Sequence, residues 1–347
     1  MGWRLGAGQP TPGSFAEAFM KMRVCTLLLV VALLALVSAA VAQQRGLPPN
    51  VPPNPNWVVS PWGEPPNGSS WLDLKTVNSM TYDPHGQGSI VVLVTPKVAS
   101  DPSVWVFNYA GKLQRTWGAN MFVRPYEMIV DRFGYLWIAD ENQNFVAKFT
   151  EDGKQLMTIG QKGVAGDNSS HDAFNGPCSV AVAKNGDIFV ADGYNNSRVV
   201  KFDKNGKFLM MIGGTKGSEI GQFNVPHHVL IDSKDELVIQ DRVNKRIQFW
   251  TQDGKFIKQW TDIEFGRPSG FAILPDDTIY VSDSDGQSIK IIKDDKVIDA
   301  IGGLDGARPH AITIDRFGAL YVNDEPFRIV KKIVRKGGVE SRGAAKP

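Results

Sequence analysis

The chain has 347 residues, 42% of them apolar and 21% charged, with 38 basic and 36 acidic side chains. That composition excludes a wholly disordered or collagen-like chain and leaves room for one large domain or two small ones. The near balance of charge offers no electrostatic footprint for nucleic acid or an anionic membrane.

At the N-terminus, residues 21–42, KMRVCTLLLVVALLALVSAAVA, place a basic flank before an apolar run that ends in Ala40, Val41 and Ala42. This is the pattern of a secretory signal peptide, with cleavage expected after Ala42 and residues 1–19 as an upstream extension. The competing reading is an uncleaved N-terminal membrane anchor, because the run almost reaches spanning length. Cleavage removes Arg4, Lys21, Arg23 and Glu17 and leaves 35 basic and 35 acidic side chains. The expected product is a formally neutral, secreted or periplasmic protein with no nucleic-acid partner and no membrane contact. Cys178 is then its one cysteine, so no internal disulfide is expected to support the fold.

Residues 43–70 carry eight prolines and read as a Pro-rich linker, within which NWVVS (56–60) has the composition of a short strand. From 71 to 335 the chain repeats itself. The segment GPCSVAVAKNGDIFVADGYNNSRVVKFDKNGKFLMMIG (176–213) aligns with RPYEMIVDRFGYLWIADENQNFVAKFTEDGKQLMTIG (124–160), and further copies start at 225, 267 and 308. A degenerate first copy starts near Val77. Each copy holds short β-rich runs divided by turn sequences such as KNGD and QDGK, which is how tight antiparallel hairpins read. The repeat prolines Pro125, Pro177, Pro226, Pro268 and Pro309 are spaced by 52, 49, 42 and 41 residues, a period in the range of propeller blades. One four-stranded meander cannot bury both of its faces, but six packed radially can. The expected fold class is therefore all-β, a six-bladed β-propeller of four-stranded antiparallel blades. The sixth copy ends after its third strand, so a strand from NWVVS or from SWLDL (70–74) is expected to close the ring. Residues 336–347 are small and polar and read as a disordered tail.

In such a ring the first strand of each blade lies innermost. The residue after each blade-opening position is Asn78, Tyr126, Cys178, His227, Ser269 and His310 in turn. Two histidines on equivalent positions make a candidate zinc site, with Cys178 or Tyr126 as a third ligand. The alternative is a set of hydrogen-bonded polar residues lining a wet channel. His227 is expected inside the channel, and His228, on the other face of the strand, in the blade packing or toward an edge.

The blade sequences resemble the NHL family of six-bladed propellers. More specifically, DIFVADGYNNSRVVKFDKNGKF (187–208), GQFNVPHHVLIDS (221–233) and VIQDRVNKRIQFW (238–250) resemble the peptidyl-α-hydroxyglycine α-amidating lyases. Members of that family are zinc-dependent propeller enzymes that cleave a peptide ending in α-hydroxyglycine to a peptide amide and glyoxylate. The resemblance implies zinc ligation by His227 and His310, a catalytic role for Tyr194 and an active-site role for Arg242. Read from the residues alone, Tyr194 is a loop aromatic covering a blade edge, and Arg242 is an ion-pair partner for Asp241 or Glu236. The chain departs from the family at four places. Tyr126, in RPYEM, stands where the remaining zinc histidine belongs. Lys97 is the nearest cation where another substrate-binding arginine is expected, Ala311 replaces a calcium-binding aspartate, and Asn195 replaces a disulfide cysteine. Zinc is thus expected only with an incomplete ligand set, and calcium is not expected. Two functions remain: an exported propeller that binds a peptide, a small molecule or an envelope or extracellular protein at its channel mouth, or a metal-dependent lyase acting on hydroxyglycyl peptides or a related small substrate. A scaffold role in an envelope assembly is a third.

Overall fold

The computed structural model describes residues 51–337 except 86, 305–307 and 325–327; the segment expected to be a signal peptide and the tail from 338 lie outside the described residues. Six four-stranded antiparallel sheets follow one another along the chain. A short strand, β1 (Trp57–Pro61), comes first and belongs to the last sheet. Blade one holds β2 (Leu74–Asp83), β3 (Ser89–Pro96), β4 (Val104–Phe107) and β5 (Leu113–Trp117). Blade two holds β6 (Pro125–Val130), β7 (Leu136–Asp140), β8 (Phe145–Phe149) and β9 (Gln155–Ile159). Blade three is β10 (Pro177–Val182), β11 (Ile188–Asp192), β12 (Arg198–Phe202) and β13 (Phe208–Gly213). Blade four is β14 (Pro226–Ile231), β15 (Leu237–Asp241), β16 (Arg246–Trp250) and β17 (Phe256–Trp260). Blade five consists of β18 (Pro268–Ile273), β19 (Ile279–Asp283), β20 (Ser288–Lys293) and β21 (Lys296–Ile301), and blade six of β22 (Pro309–Ile314), β23 (Leu320–Asp324), β24 (Ile329–Arg335) and β1. The molecule is the six-bladed propeller that the repeat implies.

Of the two candidate closing strands, NWVVS is the one used: Val59 pairs with Ile333 and Trp57 with Arg335. SWLDL instead contains a 3-10 turn, Trp71–Asp73, whose first N–H groups are capped by Ser70 Oγ accepting from Leu72 N at 3.2 Å. The N-terminal stretch also supplies packing. Trp57 joins the core between blades five and six, and Trp62 and Trp71 join the core between blades six and one.

Each sheet is buried on both faces, which is why β7, β11 and β15 are buried at every residue rather than at alternate ones. Apolar cores form at each junction of neighbouring blades. Between blades three and four, for instance, Phe189, Ala191 and Val199 meet Phe223, Val229 and Ile239. The outer strands are exposed in part, as in β9 and β17. The hairpins follow the sequence turns: in KNGD, Gly186 has φ +89, and its N–H donates to Ala183 O at 2.9 Å.

An aspartate ends the second strand of blades two to six, and in blades two to five it organises the chain entering the blade. Asp192 accepts from Asn175 N at 2.8 Å and Arg198 Nε at 3.0 Å, and Asp241 from Asn224 N at 2.7 Å and Arg246 Nε at 2.9 Å. Asp140 and Asp283 make the same backbone contact, with Val123 N at 2.7 Å and Gly266 N at 2.9 Å. These buried bonds fix the start of each inner strand and hence the residues after the repeat proline.

Candidate functional site at the start of the inner strands

In blades two to five the ladder between first and second strands slips by one residue between the repeat proline and the second residue after it. A slip of this kind is a β-bulge, and the extra residue is re-aimed out of the regular alternation. The extra residues are Tyr126, Cys178, His227 and Ser269. Blade six is irregular between Pro309 and Ile312, a stretch that includes His310. The bulge corrects one expectation. His228 does not turn away from the axis: it lines a central cavity of about 810 Å³, while His227 lies outside that lining. Strict alternation across the strand was the wrong rule for a bulged pair.

His227, His310 and Tyr126 converge. The Tyr126 hydroxyl lies 2.8 Å from His227 Nε2 and 2.9 Å from His310 Nε2. The two imidazole centroids are 5.4 Å apart with rings nearly perpendicular. Tyr194 brings a second phenol, 2.5 Å from the Tyr126 oxygen and 3.4 Å from His227 Nε2. It reaches this place because Gly193 lies against blade four; a Cβ on Gly193 would sit 2.1 Å from Pro226 O. Arg242 completes the group, with Nη1 donating to the Tyr194 hydroxyl at 3.3 Å and its guanidinium 5.1 Å from that ring's centroid. Its backbone N–H is held by Val225 O at 3.0 Å. Val225 itself has φ +64, a strained conformation for a β-branched residue, at the point where the chain enters the bulge.

Other candidates go elsewhere. Cys178 Sγ is engaged by Pro226 O at 3.3 Å and Ala191 O at 3.5 Å, so Tyr126 and not the thiol stands at the convergence of the imidazoles. Arg242 does not pair with Asp241 or Glu236; Asp241 is taken by Arg246. Lys97 is at the surface, 3.9 Å from Asp73. Ala311 lines the cavity, with its N–H donating to Asn323 Oδ1 at 2.6 Å.

Burial sets the charge states. It pushes the Tyr126 phenol well above its usual range, helped by the neighbouring Tyr194, and it raises Tyr194 against the opposing pull of Arg242. Burial also drives His227 well below its ordinary value, with Arg242 and His310 adding to the effect. The cluster therefore consists of neutral phenols and a neutral His227 beside one fixed cation.

Zinc can be tested against this donor set. A catalytic zinc takes three strong protein ligands with lone pairs aimed at one point. Here two imidazoles point at a neutral phenol that is hydrogen-bonded to both. Among the described residues no three His, Cys, Asp or Glu side chains are grouped to hold a metal. The residues do not compose the three-imidazole centre that the resemblance implies.

Two residues carry site contacts that the sequence reading missed. Glu127 and His228 pair at 2.7 Å, joining blades two and four, which are not neighbours, and Glu127 Oε2 is buried without a hydrogen bond. Gln240 packs behind His227 Nδ1 at 3.3 Å. A signal for it exists in the repeat: the residue before the blade aspartate is Ala139, Ala191, Ser282 or Asn323 elsewhere, and glutamine is the largest of the set.

Comparison with known proteins agrees with this architecture. The NHL repeat family matches residues 174–202. The probable peptidyl-α-hydroxyglycine α-amidating lyase of Caenorhabditis elegans is 36% identical over 154 residues, 44% of this chain and 43% of that protein. Lyase 2 of Drosophila melanogaster is 32% identical over 196 residues, 55% of this chain and 45% of that one. Human NHL repeat-containing protein 3 is 28% identical, across 67% of this chain and 73% of its own length. The chain spans less than half the length of the first amidating relatives it matches. Among solved structures, a streptogramin B lyase covers 81% of this chain, and 98% of its own, with a TM-score of 0.55 at 14% identity, a likeness of fold alone. Sequence repeat, blade geometry and relatives converge: the chain is a six-bladed β-propeller that carries an NHL-repeat match at residues 174–202 and resembles the peptidyl-α-hydroxyglycine α-amidating lyases.

Proposed function

We propose that this protein is an exported binding propeller that holds a carboxylate-bearing peptide or small molecule beside Arg242 and Tyr194. One observation carries the reading. Arg242 is 7% exposed, yet it forms no ion pair among the described residues, and its one side-chain hydrogen bond goes to a neutral phenol. A buried guanidinium with no carboxylate in contact is costly: Glu141, which feels its charge, is paired with Arg124 instead, and a planar carboxylate is the anion that the Arg242 fork geometry accepts in bidentate fashion. Tyr194 and the Tyr126 hydroxyl behind it then supply neutral hydrogen-bonding groups near the same ligand.

Calorimetry with a short peptide bearing a free C-terminal carboxylate, and with the same peptide amidated, tests the proposal. Binding is expected for the acid alone, and Arg242→Lys should weaken it at least about tenfold, because lysine cannot reproduce the two-point contact. Equal binding of acid and amide would refute it. A second reading, a metal-dependent lyase, is favoured by the amidating relatives and by the matching Tyr194 and Arg242. Release of glyoxylate from an α-hydroxyglycyl peptide by the purified protein would replace the binding reading with this one.

A further inference from the structure

The order of protons in the phenol–imidazole cluster is set from behind His227, by Gln240. Three atoms surround one end of this side-chain amide, which lies on β15 and is fully buried: His227 Nδ1 at 3.3 Å, Ser269 O at 3.2 Å and Pro268 O at 3.3 Å. Carbonyl oxygens only accept hydrogen bonds, so the NH2 end of the amide faces them; an Nδ1–H would then point at a donor, and Nδ1 turns its lone pair toward the amide as an acceptor. A neutral imidazole whose Nδ1 accepts carries its proton on Nε2. His227 therefore donates to the Tyr126 oxygen, 2.8 Å away. On the other side, Arg242 can only donate, and it takes a lone pair of the Tyr194 oxygen. That turns the Tyr194 proton toward Tyr126. Both lone pairs of the Tyr126 oxygen are then engaged, and its own proton goes to His310 Nε2 at 2.9 Å. Every partner of the Tyr126 hydroxyl is accounted for, and the chain of bonds has one direction, from Arg242 through Tyr194 and Tyr126 to His310.

A metal-binding imidazole is wired the opposite way. Its ligating nitrogen must present a lone pair, and the other nitrogen donates its N–H to a carboxylate, carbonyl or water behind it. His227 has a donor behind it. Its Nε2 thus presents a hydrogen, not a lone pair, and the Tyr126 oxygen accepts it.

We propose that this cluster is a metal-independent hydrogen-bond network of fixed polarity, in which Gln240 is the positioning residue that fixes His227 as its Nε2–H tautomer and the Tyr126 hydroxyl takes the place of a cation. The inference does not depend on carboxylate binding at Arg242, because the bonds that define it are within the protein.

The test uses the mature chain labelled with 15N in its histidines, read by long-range 15N–1H correlation at pH 7.5 and assigned through His310→Asn. His227 is expected to carry its proton on Nε2 and His310 on Nδ1; an Nδ1–H tautomer at His227 overturns the proposal. Gln240→Glu replaces the donor behind Nδ1 by an acceptor and is expected to switch His227 to the Nδ1–H tautomer, and an unchanged spectrum in that variant also overturns it. Zinc is titrated in parallel against a competing chelator. Wild type should hold less than one-tenth of an equivalent, whereas Tyr126→His combined with Gln240→Glu should retain about one, with the outer-shell change alone contributing roughly 10–100-fold in affinity. Stoichiometric zinc on the wild-type protein refutes the metal-free network. Should either variant fail to fold, the wild-type spectrum and the wild-type titration decide the question.

Discussion

Replacing Tyr126 by phenylalanine removes one oxygen and leaves the ring, which is 7% exposed and packed edge-on against Tyr194, His227 and His310. Three buried partners lose their bond at once: His227 Nε2, His310 Nε2 and the Tyr194 hydroxyl. A buried polar group left without a partner costs about 1–3 kcal/mol. Tyr194 recovers part of this, since it already lies 3.4 Å from His227 Nε2. The expected loss is therefore about 2–4 kcal/mol, and a melting temperature lower by roughly 3–7 °C for a domain of this size. Urea unfolding followed by tryptophan fluorescence should show a lower midpoint with an unchanged slope, because the surface exposed on unfolding is the same. A loss below about 0.5 kcal/mol would mean that the hydroxyl is not a hub and would refute the reasoning.

Further outcomes follow from the same geometry. Burial keeps the His227 pKa below its unfolded value, so the unfolded chain binds the extra proton; stability is expected to fall as the pH drops below about 6.5, by up to about 1.4 kcal/mol per unit, and the slope should flatten in His227→Gln. An unchanged slope in urea titrations from pH 7 to 5 would contradict this. Arg198→Met leaves Asp192, itself fully buried, without the guanidinium that bonds it at 3.0 Å, and should cost about 3–5 kcal/mol in urea unfolding. A chain starting at Ser70 lacks β1, which exposes the edge of β24 and removes Trp57 and Trp62 from two cores; size-exclusion chromatography should show self-association, and a monodisperse, equally stable monomer would argue against strand closure as a source of stability.

Much of the fold is legible because a propeller is a local pattern repeated. The spacing of the repeat prolines, the hairpin turns and the aspartate ending each second strand are all short-range signals, and each blade forms mainly from contacts within about 45 residues of chain. The choice of closing strand was not legible. NWVVS and SWLDL are equally apolar, and only Ser70 capping the turn at Trp71 removes the second from contention. In the site, the equivalence of His227 and His310 is visible as an equivalence of repeat positions. The inward turn of His228 is not, because a bulge breaks the two-residue period that makes strand faces readable.

The amino-acid sequence by itself determined the number of blades, the residues that begin each inner strand and the set of side chains available near the axis. It did so because hairpin chemistry and hydrophobic runs act between close neighbours in the chain. Tertiary structure alone decided what those side chains do to one another. The Tyr126 oxygen meets partners 101 and 184 residues away, and Gln240 faces carbonyls of the next blade. The direction of a hydrogen bond depends on which donors and acceptors surround each atom, and that environment exists only once the ring has closed.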